Sequence, residues 1–264
     1  MNAATLPQTL GCLARSRVYA YLAAWLRYPG RASWEDLTGA QSRASFAEAC
    51  DLLTREKTYN TLRRHRGGMR AEVCPGPEEL EDLFQSVFGH TISKECPPCE
   101  TEYGRMHLFQ QTDFLADLAG FYRAFGLEVK ERVERADHIS TELEFLHVLT
   151  FKEARAHERG RAEEAGICRD AQVSFLEDHL GRWGAVFAGR LERRNPDGPF
   201  GDAARLLSDF LRAEAAALSV DADLAPDFAR GESLPAAADE WNSAEWMQGE
   251  GPCAGLNGKG KPCP

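Results

Sequence analysis

The chain has 264 residues, of which 43% are hydrophobic and 27% charged, and its formal net charge is −10. This soluble composition supports a sizeable core and excludes a disordered or membrane-embedded chain. An acidic chain is a poor partner for nucleic acid and a suitable partner for a basic peptide.

The N-terminal region carries no predicted export signal. Its longest apolar run covers residues 18–26, and arginines flank that run. Such a run is too short to span a bilayer, and no small-residue cleavage site follows it. We therefore expect a cytoplasmic protein without membrane insertion. In a reducing compartment, eight cysteines indicate buried thiols or metal ligands rather than a disulfide framework, and Cys12, Cys50 and Cys168 are expected in the core.

Helical periodicity dominates the chain, and no segment alternates cleanly with period two. The predicted helices cover 10–26, 45–64, a stretch from the Pro75-Gly76-Pro77 turn to Gly89, 105–125, a stretch that begins at Asp137, 165–191 and 200–218.

Proline and glycine predict several helix ends. The first helix is expected to end before Tyr28-Pro29-Gly30, and Gly126 is expected as a left-handed cap. Ser45 and Glu48 have the spacing of a capping box at the start of the second helix. Gly181 and Gly184, inside the sixth helix, predict a close approach between helices there.

These elements predict an all-α protein: one helical-bundle domain of about six or seven helices, covering residues 1–220. The remaining residues, 221–264, are predicted to be an irregular C-terminal tail that is first acidic and then rich in glycine and proline.

Two apparent motifs are rejected. Glu144 and His147 have the Glu-x-x-His spacing of a di-iron bundle, but no second copy exists in the sequence, so we expect an exposed polar edge. The glycine-rich run at 255–262 resembles a phosphate loop, but no strand precedes it and proline stands where Ser or Thr is required. No catalytic triad or dyad can be assembled from spacing.

The cysteine pair Cys96-Pro97-Pro98-Cys99 is a stronger signal. A thioredoxin-type motif requires a βαβ context, which is missing from the sequence pattern. A zinc site requires four ligands, and Cys253 and Cys263 in the tail could complete the set. A structural or redox-sensitive pair remains the alternative.

Asp137 and His138 open the fifth predicted helix. The sequence favours Asp137 as the N-cap, with its carboxylate accepting a backbone N–H bond. The two side chains could also form a polar contact site for a peptide.

Three motifs together resemble the TorD/DmsD/NarJ family of molybdoenzyme maturation chaperones. They are Pro-Pro-x-Glu-x-x-Tyr at 97–103, Gly-Phe-Tyr-x-Ala-Phe-Gly at 120–126 and Asp-His-Ile-x-x-Glu-Leu-Glu-Phe-Leu at 137–146. The first is most similar to the branch that serves type II enzymes of the dimethyl-sulfoxide-reductase family. Ala136 departs from the pattern, since many relatives have proline there.

The resemblance implies a non-enzymatic cytoplasmic chaperone with no tightly bound nucleotide. It would bind the apo catalytic subunit of a molybdenum oxidoreductase, its twin-arginine leader, or both, until the molybdenum cofactor is inserted. The resemblance assigns client binding to the following residues: Asp137, His138, Tyr103, Glu100, Pro97, Pro98, Tyr122 and Glu142. The alternative is a metal-binding or redox-sensing helical protein that uses Cys96, Cys99, Cys253 and Cys263.

We expect the client to bind in an acidic helical groove. The groove is predicted near the 97–103 loop, the start of the fifth helix and the apolar face of the fourth. The sequence leaves open which molybdoenzyme is the client, and whether the protein is a monomer or a helix-swapped dimer.

Overall fold

The computed structural model describes residues 7–30, 34, 37–70, 76–89, 95–103, 108–128 and 134–220, all within one compact unit, Met1–Ala229. The predicted tail, 221–264, lies outside the described residues, so the boundary at residue 220 stays a prediction. The helices of twelve or more residues in the described part are α1 (Gln8–Leu26), α2 (Ala40–Leu53), α3 (Pro77–Phe88), α4 (Leu108–Ala124), α5 (Ile139–Glu158), α6 (Ala162–Phe175), α7 (Gly181–Arg194) and α8 (Pro199–Leu218).

The prediction of an all-α fold is confirmed. Among the described residues the extended structure is a single antiparallel bridge between Cys99 and His138. Short 3₁₀ helices cover Lys57–His65 and Glu100–Glu102, and a π-helical turn, Leu176–Leu180, joins α6 to α7. No helix in the described part of the chain is long and apolar enough to cross a membrane.

The core is built on the pairing of α1 with α5. The two helices run antiparallel, because Arg27 just after α1 reaches Glu144 near the start of α5, whereas Arg15 near the start of α1 reaches Glu153 near the end of α5. Helices α7 and α8 pack on each other, and α6 packs on α5. The largest buried side chains of this core are aromatic: Trp25, Trp183, Tyr19, Tyr59, Tyr122, Phe46, Phe145, Phe175, Phe187, Phe200 and Phe210. Their burial contributes strongly to the apolar stabilisation of the bundle.

A buried ionic network lies inside this core, around Glu214 of α8. Its carboxylate accepts hydrogen bonds from the Arg15 guanidinium (2.7 Å), the Tyr19 hydroxyl (2.8 Å) and the Tyr59 hydroxyl (2.6 Å). Arg15 also donates to the side chain of Gln172 on α6 at 2.6 Å. Because each charge is paired and hydrogen-bonded, the network fixes the relative positions of α1, α6 and α8.

Several predicted helix ends are confirmed. Helix α1 ends at Leu26, just before the Tyr28-Pro29 step, and Gly89 after α3 has φ 79°. Gly126 has φ 76°, and the Leu127 N–H donates to the Tyr122 carbonyl at 3.0 Å. That hydrogen bond closes a Schellman-type C-cap after α4, as glycine at this position predicts.

Two predicted helices are wrong in extent. The second was expected at 45–64, but α2 begins at Ala40 and ends at Leu53, because Glu56 adopts an extended backbone and the chain continues as a 3₁₀ helix. Ser45 and Glu48 therefore lie inside α2 and do not cap it. The sixth, expected at 165–191, is divided into α6 and α7 by the π-helical turn, so the described residues contain eight α-helices of twelve or more residues.

The predicted close approach at Gly184 is confirmed. A Cβ atom added there would lie 2.7 Å from Leu211 Cδ1 of α8. Any larger residue at this position would require the Leu211 side chain to move.

Candidate functional site

Two of the sequence motifs meet through their backbones. The Glu100 N–H donates to the Asp137 carbonyl at 2.9 Å, and the Ile139 N–H donates to the Pro98 carbonyl at 2.8 Å. These two bonds flank the bridge between Cys99 and His138. The double-proline loop is therefore attached to the residues that open α5.

Asp137 holds this junction together from the inside. Its side chain is fully buried, and its carboxylate accepts hydrogen bonds from the Thr101 hydroxyl (2.7 Å), the Thr101 N–H (3.2 Å) and the Arg135 guanidinium (2.9 Å). The prediction that Asp137 caps α5 is wrong, because the carboxylate points back to the loop. His138 is the N-cap, and its Nδ1 accepts from the Ser140 N–H at 3.2 Å.

His138 is buried and neutral. Burial lowers its pKa to about 4, and the charge of Asp137 opposes that shift only in part. With Nδ1 as acceptor, the proton lies on Nε2, which is 3.6 Å from a carboxylate oxygen of Glu134. His138 thus joins the motif junction to Glu134, which has a partly buried side chain.

A second buried polar cluster lies beneath the junction. The Glu142 carboxyl is fully buried and accepts from the Trp183 indole N–H at 3.1 Å, and Glu100 Oε2 is 3.2 Å from Nδ1 of His179. Burial and the adjacent charge of Glu100 raise the pKa of Glu142 well above its usual value. The raised pKa favours a protonated Glu142, whose carboxyl can then donate to Glu100. Glu142 Oε1 is buried and has no other hydrogen-bond partner among the described residues.

The sequence placed Trp183 in the core but did not predict its hydrogen bond to Glu142, and it gave no role to His179. His179 lies in the π-helical turn with a non-helical backbone (φ −128°, ψ −105°), which brings its ring to Glu100. The sequence pattern of an unbroken helix gave no signal for this turn. A π-turn inside a helix often marks a functional position.

Tyr103 fixes the double-proline loop. Its hydroxyl donates to the Pro97 carbonyl at 2.8 Å, and its ring packs at 5.0 Å from the Trp183 ring. The Arg190 guanidinium lies over the outer face of the ring, 4.8 Å from its centroid.

Cys96 and Cys99 of the same loop are buried thiols. Burial raises the pKa of Cys96 to about 12 and raises that of Cys99 still further above the ordinary value. A redox-sensitive cysteine requires a low pKa, so the redox alternative is not favoured. Cys253 and Cys263 lie outside the described residues, and the four-cysteine zinc site stays a prediction.

A surface groove opens beside the framework that the 97–103 loop forms with the start of α5. Its volume is about 400 Å³, within the range of ligand pockets. The residues that line it are Arg27, Tyr122, Leu127, Glu128, Glu134, Ser140, Thr141, Glu144, Phe145 and Val148. They come from the ends of α1 and α4, the first turns of α5 and the segments adjoining them, and none of these lining residues belongs to the 97–103 loop.

The groove combines an apolar floor with an acidic rim. Tyr122, Leu127, Phe145 and Val148 provide the apolar surface, whereas Glu128, Glu134 and Glu144 supply three carboxylates. Within the described part of the groove Arg27 is the one cation, and it pairs with Glu144 at 3.1 Å. Burial raises the pKa of Glu134. The arrangement suits a segment with apolar side chains and positive charge.

Of the eight residues assigned to client binding, Tyr122 alone lines this groove. Six of the others are buried beneath it or in the loop: Pro97, Glu100, Tyr103, Asp137, His138 and Glu142. Pro98 is partly exposed. Direct client contact by these residues stays a prediction, but their position in the framework is clear. His138 bonds to Ser140, and the Tyr122 hydroxyl donates to the Ala136 carbonyl at 2.7 Å.

The rejected di-iron spacing has a simpler structural role. Glu144 is exposed, as expected, but His147 is not a free polar edge. Its Nδ1 lies 2.8 Å from the Ser16 hydroxyl, so it ties α5 to α1.

The fold and this site define an all-helical bundle protein in which two sequence motifs form a buried framework beside an acidic, apolar-floored groove. The chain belongs to the nitrate reductase delta subunit family, whose sequence model matches residues 54–189. This match confirms the resemblance to the TorD/DmsD/NarJ type.

Two curated proteins are similar to the chain. The perchlorate reductase assembly chaperone protein of Dechloromonas aromatica (strain RCB) is 29% identical over 181 residues, which is 65% of this chain and 75% of that protein. The selenate reductase assembly chaperone protein of Thauera selenatis is 40% identical over 79 residues, which is 30% of this chain and 40% of that protein.

Proposed function

We propose that this protein is a cytoplasmic assembly chaperone for a molybdenum oxidoreductase of the dimethyl-sulfoxide-reductase family. It binds the apo catalytic subunit, through its twin-arginine leader, its folded body or both, and holds it for insertion of the molybdenum cofactor. It acts as a binding protein, not as an enzyme, and without a tightly bound nucleotide. The names of the two similar proteins support this proposal, since both are assembly chaperones of reductases.

The groove is the observation that carries the proposal. A twin-arginine leader contains two adjacent cations followed by an apolar stretch. In our proposal the cations bind at the rim, near Glu128 and Glu144, and the apolar stretch packs against Phe145 and Val148 on the floor. Affinity then comes mainly from apolar burial, while the carboxylates speed encounter and set orientation.

The buried motifs have an indirect role in this proposal. Asp137 and His138 hold the start of α5, which supplies Ser140, Thr141 and Glu144 to the groove. Replacing Asp137 would leave Thr101 and Arg135 without their shared acceptor, and this loss would move the groove wall as well as lower stability.

The experiment is calorimetric titration of the purified chain with the leader peptide and, separately, with the apo catalytic subunit of a co-occurring molybdenum enzyme. We expect micromolar or tighter binding to at least one of them, weakened roughly tenfold by Glu128→Lys combined with Glu144→Lys. The matched control reverses two exposed acids on α6, Glu163→Lys and Asp170→Lys, and should leave the affinity unchanged.

The outcomes separate the parts of the proposal. Binding to the subunit alone, with the same sensitivity, places recognition on the client's body. Equal loss in the groove variant and the control would show that net charge, and not the groove, determines binding. No binding to either ligand would refute the chaperone proposal.

A further inference from the structure

Three side chains with different ligand atoms converge far from the groove, where the first turns of α1 meet the last turns of α5. They are Cys12 of α1 and Glu153 and His157 of α5, and one ligand atom from each lies within 4.8 Å of the others. Cys12 and Glu153 are buried, whereas the His157 side chain is 22% exposed. The cluster therefore has a solvent-facing side at His157.

The imidazole and the carboxylate of this cluster do not hydrogen-bond to each other. His157 Nε2 and Glu153 Oε1 are 3.8 Å apart, too far for a hydrogen bond. Tetrahedral zinc, with bonds of about 2.0 Å to N or O and 2.3 Å to S, places its ligand atoms about 3.3–3.7 Å apart. The three ligand atoms, which lie within 4.8 Å of one another, would draw closer together to reach that geometry.

The carboxylate of Glu153 is already oriented for this role. Its Oε2 accepts from Gln172 Nε2 at 2.8 Å and lies 3.4 Å from the Arg15 guanidinium. Its Oε1 is the oxygen that faces His157. Metal-ligating carboxylates are commonly held by such hydrogen bonds to the oxygen that does not bind the metal.

The charges around the cluster leave room for a cation. Arg15 is engaged by Glu214, and Arg169 of α6 lies 3.9 Å from Glu153 Oε1 with a side chain 47% exposed, so it can turn to solvent. The Cys12 sulfur and the Glu153 carboxylate lie within 4.8 Å of each other. A divalent cation between them would stabilise the thiolate form of Cys12.

We propose that Cys12, Glu153 and His157 bind a zinc ion, with water as the fourth ligand on the solvent side. Thiolate, imidazole and carboxylate together are a borderline donor set that suits zinc. On binding, the Cys12 sulfur releases its proton to solvent and forms the metal–sulfur bond. The ion links the start of α1 to the end of α5, and this site is separate from the Cys96 and Cys99 loop.

Cobalt(II) is the probe, because a thiolate-to-cobalt charge-transfer band reports a bound cysteine directly. The untagged full-length protein is titrated under reducing conditions, and the metal retained after dialysis is measured. We expect one cobalt per chain with a thiolate band, displaced by zinc. Cys12→Ser should abolish the band, and His157→Gln should weaken binding roughly a hundredfold or more.

Matched variants decide between this site and others. His147→Gln alters a second partly buried histidine of α5, and Cys99→Ser alters a second buried thiol; both should retain the band. A band that persists in Cys12→Ser, or that disappears in Cys99→Ser, would place the metal elsewhere and overturn the proposal. No band in the unaltered protein would also overturn it. If Cys12→Ser fails to fold, His157→Gln, with its partly exposed side chain, decides by itself.

Discussion

The buried carboxyl pair predicts an unusual dependence of stability on pH. Glu142 is fully buried beside Glu100, and its pKa is raised well above its usual value. The folded protein therefore retains a proton that the unfolded chain releases near pH 4.5. Because the folded state binds more protons, this group's contribution to stability is fully present below pH 4.5 and is lost as the pH rises toward the folded pKa.

The substitution Glu142→Gln isolates this contribution. Glutamine has the shape of a protonated glutamic acid: its amide oxygen can accept from Trp183, and its NH₂ can donate to Glu100. For one proton, the free energy of unfolding changes by about 1.4 kcal/mol per pH unit. We subtract the free energy of unfolding of the unaltered protein from that of the variant. This difference should rise by roughly 3 kcal/mol between pH 5 and pH 7 when the folded pKa of Glu142 lies above that range.

The assay is urea unfolding of both proteins at several pH values from 5 to 8. His138 also changes its protonation on unfolding, since burial lowers its folded pKa to about 4. Both proteins contain His138, so its contribution cancels in the difference between their free energies of unfolding. The control is Glu144→Gln on the same helix, where the exposed side chain should change stability by less than about 1 kcal/mol at every pH. Parallel curves for Glu142→Gln and the unaltered protein would refute the shared proton.

Two further predictions concern the core. Glu214→Ala should lower the free energy of unfolding by about 3–5 kcal/mol, because it removes the nearer carboxylate partner of the buried Arg15 and the acceptor of the Tyr19 and Tyr59 hydroxyls. Glu214→Gln should lower it less, and chemical denaturation measures both. Gly184→Val should lower the free energy of unfolding by about 1–3 kcal/mol, because the larger side chain overpacks against Leu211. Adding Leu211→Ala in the same chain should recover part of this loss. If the two losses simply add, the contact between Gly184 and Leu211 is contradicted.

Local sequence signals were reliable where local chemistry decides the backbone. Pro29 and Gly126 predicted the ends of α1 and α4, because a ring-locked φ or a left-handed glycine acts within a few residues of its own position. The capping-box spacing at Ser45 failed, because helix α2 begins five residues earlier. A cap signal is weak compared with the packing of a whole helix face.

The motif residues show what the sequence could not predict. The sequence identified Asp137 and His138 as important but gave Asp137 the wrong partner. Its carboxylate bonds to Thr101, 36 residues away along the chain, and this loop is brought near only by the backbone bonds of the folded state. The motifs could therefore identify the family without showing that most of their side chains are buried.

The sequence by itself determined the all-helical class, most helix positions, the acidic character and the family motifs, because these depend on periodicity, composition and short-range backbone preferences. Only the tertiary structure decided the groove, the proton shared by Glu142 and Glu100, and the convergence of Cys12 with Glu153 and His157. These features depend on burial and on contacts between distant segments. Folding creates both, and no local pattern encodes either.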